Sequence, residues 1–72
     1  MIGEKIRELR EKKNLSISEL AERAGVAKSY LSLIERNNYS NPSIHYLTKI
    51  CKVLDVSLND LINFEENINQ GN

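Results

Sequence analysis

Residues 15–36 read LSISELAERAGVAKSYLSLIER, and their pattern decides the architecture. Ser16 precedes an apolar-periodic run, and Glu19 stands three residues on. That spacing predicts a capping box: the hydroxyl accepts from an early backbone N–H, and the carboxylate accepts from the N–H of the cap. Ile17, Leu20, Ala21 and Ala24 recur at i, i+3, i+4 and i+7, which predicts a helix from Ile17 to about Ala24. Gly25 follows, where a helix end favours a residue tolerant of positive φ. Val26 and Ala27 complete a short connector, and a second helix starts near Lys28.

The second helix divides by angle. At about 100° per residue, Ala27, Tyr30, Leu31 and Ile34 fall on one side. Lys28, Ser29, Ser32, Leu33 and Arg36 fall on the other, with Glu35 at the edge. The outward face carries short polar groups, one Leu and two cations, but no acid. Such a face suits insertion into a DNA major groove, where short donors and acceptors meet base edges. A helix–Gly–helix pattern is equally that of a plain αα-corner, so spacing by itself leaves both readings open.

Outward from this core, residues 2–13 read as a helix whose Ile2, Ile6 and Leu9 share a face. The opposite face is Glu, Lys and Arg, a solvated surface with weak i,i+3 and i,i+4 pairs. Asn14 suits a left-handed stop, and Leu15 turns back inward. On the other side, residues 36–42, RNNYSNP, form a loop by composition, rich in amides and hydroxyls able to hold phosphates or merely to face water. Pro42 fits the first turn of the next helix, with Asn41 or Ser43 as its cap. That helix runs to about Leu54, with Ile44, Leu47, Ile50, Cys51 and Leu54 inward. Asp55 and Val56 link it to another capped start, Ser57 with Asp60, whose apolar side is Leu58, Leu61, Ile62 and Phe64. The tail EENINQGN, residues 65–72, is polar and expected to fray. No stretch alternates with period two, so the expected fold class is all-α.

Seventy-two residues allow one domain with one small core, which packing or self-association must support. The single Cys rules out an internal disulfide or a Cys-based metal cluster. MIGEKIREL has no apolar h-region, and no apolar run approaches bilayer length, so a cytoplasmic, membrane-free setting is expected. Net charge is zero, yet unevenly spread. Residues 1–36 hold eight Lys/Arg against six Glu; residues 37–72 hold two Lys against four Asp/Glu. The mild polarity predicts few phosphate contacts and an affinity that relies on avidity as well. His45 and Cys51 lie at helical positions where a surface or core role outweighs a catalytic one. No nucleophile–base pair, phosphate loop or metal spacing is present, so neither an enzyme nor a cofactor is expected. The competing class is a protein-interaction module, antitoxin-like.

The segments AGVAKSYLSLIERNNYSNPSI (24–44) and LDVSLNDL (54–61) resemble the Cro/C1-type (XRE) helix-turn-helix family over about residues 2–64. The resemblance implies a compact five-helix, lambda-repressor-like domain at 1–64, its second and third helices forming the motif, with 65–72 a tail. It also implies a regulator of transcription that binds operator DNA, usually as a homodimer and usually to repress, found with the nucleoid when bound. An antagonist protein is a possible partner. By position, Lys28, Ser29 and Leu33 would read bases. Tyr30, Ser32 and Arg36 would reach the backbone or flanking bases, and Asn38, Ser40 and Ser43 would hold phosphates. Arg10 and Glu35 would form a partly buried ion pair between the first and third helices. Ile62 and Phe64 are expected to be exposed and to pair with a second copy. Two positions depart from the family. Ile17 replaces a frequent Gln and cannot hold its phosphate, and Ala27 lacks the hydroxyl that often caps the third helix. The chain reads either as the DNA-binding part of a longer regulator or as a stand-alone one, like the controller proteins of restriction–modification systems.

Overall fold

A computed structural model describes residues 2–36 and 42–62. Its elements are α1 (Ile2–Lys12), α2 (Ile17–Ala24), α3 (Lys28–Arg36) and α4 (Ile44–Leu54), and residues 58–62 are a fifth helical segment, α5. No strand occurs among the described residues. Local chemistry sets most boundaries. Asn14 stops α1 in the left-handed region at φ 58°. Ser16 caps α2: its hydroxyl accepts from Glu19 N–H at 3.0 Å, and the Glu19 carboxylate accepts from Ser16 N–H at 2.8 Å. Gly25 ends that helix at φ 70°, where a side chain would be strained. Ser57 accepts from Asp60 N–H at 2.9 Å and so opens α5.

The helices close around one core. α1 packs on α3, and α2 packs on both α3 and α4. Ile6 of α1, Leu20 of α2, Leu31 and Ile34 of α3, Ile50 and Leu54 of α4, and Leu61 of α5 are all essentially inaccessible. At about 1.5–3 kcal/mol each, these side chains supply most of the drive to fold. Leu15 is buried as well and anchors the α1–α2 turn.

Three expectations need correction. Ile44 is 62% exposed, not inward. It is the first residue of α4, and the buried stripe of that helix starts one turn later, at Leu47. Pro42 lies before the helix rather than in its first turn. Ser43, extended at φ −69° and ψ 159°, is the cap and accepts from Tyr46 N–H at 3.1 Å. Ile62 is half-buried rather than exposed, because α5 lies down on the core along Leu61 and Leu58. Phe64 and the 65–72 tail lie outside the described residues.

Candidate nucleic-acid interface

Lys28, Ser29 and Arg36 of α3 are exposed, Leu33 is 39% exposed and Ser32 is half-buried. Ser29, Ser32, Leu33 and Arg36 follow one another at i, i+3, i+4 and i+7, so they form one stripe along the helix. The stripe is about 10 Å long at 1.5 Å per residue, the rise of about three base pairs. Leu31 and Ile34 on the opposite face are buried, which fixes how α3 is rolled. Tyr30 is half-buried, its ring edge-on to Tyr46 of α4 with centroids 5.0 Å apart at 80°. Its ring is therefore committed to packing, and only its margin is available to a ligand. Ser43 is exposed, and its oxygen serves the α4 cap while its O–H proton is left to donate. Asn38 and Ser40 lie outside the described residues.

One interaction shapes the electrostatics of this face. Arg10 Nε and Nη2 donate to the two carboxylate oxygens of Glu35, both at 2.9 Å, and Arg10 Nη1 donates to the Leu15 carbonyl at 2.7 Å. The side chains are 11% and 4% exposed. The hydrogen bonds to Glu35 push the guanidinium pKa above its ordinary value. Glu35 is the sole acid of α3. Its capture by Arg10 leaves Lys28 and Arg36 as the charges that the helix shows to solvent. The same three bonds join α1, the α1–α2 turn and α3 into one rigid unit.

α3 starts without a side-chain cap. Ala27 contributes only its carbonyl, which accepts from Leu31 N–H at 3.1 Å. At α2 the Glu19 carboxylate accepts from the backbone N–H of Ser16, which holds its pKa below the ordinary value. Cys51 is buried, and burial pushes its thiol above the usual range, the reverse of what a thiolate nucleophile needs. His45 is exposed. No group of three metal-ligating side chains occurs among the described residues, and no helix among them is long and apolar enough to cross a membrane.

Sequence reasoning passed over two residues here. Gly3 is buried in α1, and a Cβ there would collide with the carbonyl oxygen of Ile34. Its signal was available, since a lone Gly inside a helical pattern often marks close packing. Tyr46 carries a hydroxyl that is buried without a hydrogen-bond partner among the described residues. No sequence signal marks that.

Residues 6–61 match the helix-turn-helix family. The chain is 60% identical over 63 residues to the HTH-type transcriptional regulator SinR of Bacillus licheniformis, covering 88% of this chain and 57% of that protein. It thus spans little more than half the length of that relative. The crystal structure of SinR, the master regulator for biofilm formation, in complex with DNA superposes with a TM-score of 0.82 at 60% identity, over 86% of this chain and 98% of that one. The SinR chain of the SinR/SinI protein complex superposes with a TM-score of 0.85 at 54% identity, over 94% of this chain and 66% of that one.

Proposed function

The chain belongs to the helix-turn-helix family, and from that premise we propose that it is a sequence-specific DNA-binding transcriptional regulator that acts as a repressor. α3 enters the major groove with Lys28, Ser29 and Leu33 toward base edges. Ser32, Arg36 and the margin of Tyr30 serve the backbone or flanking bases, and Ser43 donates to a phosphate, alongside Asn38 and Ser40. The observation that carries this reading is the exposed α3 stripe, cleared of negative charge by the Arg10–Glu35 pair. An acid left on that face would repel phosphates at every approach. DNA binding places the protein in the cytoplasm, at the nucleoid when bound. The likeness to SinR, solved both with DNA and with SinI, supports a protein as a second partner.

Selection of duplexes from a random pool by the purified protein, at stated salt, tests the reading. Enrichment of one sequence, with binding that weakens as salt rises, is the expected result. A protein that enriches no sequence, yet binds a partner protein, would instead be an interaction module.

A further inference from the structure

We infer that Gly3 is a positioning residue for base recognition: it sets the seat of the C-terminal half of α3 on α1, and through it the reach of Leu33 and Arg36. The inference rests on the DNA-binding reading above. A Cβ at Gly3 would overlap the Ile34 carbonyl oxygen and stand 3.0 Å from its carbon and 3.3 Å from the Glu35 Cα. All three atoms are backbone, so no side chain can swing aside to make room. Seven residues further along α1, Arg10 holds the Glu35 carboxylate at two points. α1 therefore grips one turn of α3 twice, through bare backbone at Gly3 and through charge at Arg10. Leu33 and Arg36 flank Ile34 and Glu35 in that turn and lie on its outer side. Close-packed helices yield by shifting as units rather than by bending smoothly. A methyl group at Gly3 thus moves Leu33 and Arg36 together. Base-edge contacts are short-ranged and directional, whereas attraction to phosphate is neither. Displacement of α3 should cost sequence preference before it costs affinity for DNA as such.

Gly3→Ala in the full chain tests this, with Cys51→Ala as a control that trims the core from α4 and leaves the α1–α3 contact untouched. Each folded variant is titrated with the selected duplex and with a scrambled one at the same salt. Gly3→Ala should weaken binding to the selected duplex about tenfold or more, the scale of a lost base contact, and change scrambled binding by less than about twofold. The amide resonances of Leu33–Arg36 should move. Cys51→Ala should keep the wild-type ratio of the two affinities. If Gly3→Ala does not fold alone, it is placed with Asn14→Gly and Asp55→Gly, which relieve the left-handed residues at φ 58° and 60°. A folded Gly3→Ala protein that keeps the wild-type ratio overturns the inference and leaves the DNA-binding reading standing, as does an equal loss in Cys51→Ala. A wild-type protein that enriches no duplex overturns both.

Discussion

Leu33 is the residue whose exposure most needs a reason. It stands 39% exposed between serines and Arg36, where the core has no use for it. The major groove presents one apolar feature, the thymine C5-methyl, and the short serines leave room to approach it. Leu33→Ser should cost about 1–2 kcal/mol at the selected duplex, and most of that loss should vanish when the contacted thymine is replaced by uracil. Equal weakening on both duplexes would remove Leu33 from the base readers. Tyr46 poses the opposite case, a polar atom buried without a partner among the described residues. Tyr46→Phe deletes that hydroxyl and should stabilise by about 1 kcal/mol in thermal denaturation. Burial, then the charges of Tyr30 and Glu35, push the Tyr46 phenol up to about 12 from its ordinary 10.0. This titration leaves stability unchanged below pH 10 and lowers it as pH rises from there through 12. The alkaline unfolding limb should therefore flatten in Tyr46→Phe. Leu33 was legible from helical angle alone. Ile44 and Tyr46 were not, because exposure at a helix end or the enclosure of a hydroxyl depends on which neighbour covers it.

Among the helices, α2 and α3 were the most legible, because caps, apolar period and the glycine between them all point the same way. The capping box is a local event of four residues, and it forms where its spacing predicts. Asp55 shows the limit. It ends α4 in the left-handed region at φ 60°, with its N–H donating to the Cys51 carbonyl. Aspartate enters that region only when the chain around it demands a turn, so sequence reads merely a link. The cap also carries a pH dependence. Glu19 has a lowered pKa in the folded state, so its contribution is present above the ordinary carboxylate value and fades as pH falls through the folded one. Ser16→Ala should cost about 1 kcal/mol near neutral pH. Glu19→Gln should make the acid limb of the stability curve shallower. Between helices the Arg10–Glu35 pair matters more. With both groups nearly enclosed, Glu35→Gln leaves Arg10 half-satisfied and should cost about 3 kcal/mol, or about 12–24 °C in Tm for a domain of this size. A loss of under about 1 kcal/mol would mean that solvent already carries the pair.

At the scale of the whole molecule, the proposed DNA binding asks a neutral chain to hold a polyanion with little net charge. The cations of residues 1–36 outnumber their acids by eight to six, and residues 37–72 reverse the balance at two to four. One copy can therefore neutralise only a few phosphates, and the salt slope of each should be shallow. Lys28→Ala should lower that slope by about one if the amine lies on a phosphate. Two copies on one duplex double the slope and add avidity, so self-association answers the charge problem. We propose that α5 provides it. Leu61 is spent on the core and Leu58 is half-spent, while Ile62 is half-buried and keeps apolar surface toward solvent. Ile62→Asp should then leave a folded monomer that binds a half-site but loses the steep concentration dependence of the wild type. The selected duplexes should be palindromic, with half-sites about 34 Å apart, one turn of DNA, as a two-fold pair of α3 helices requires. Sedimentation of the wild-type chain as a monomer at high concentration, together with selection of a single asymmetric half-site, would show that each copy reads DNA alone.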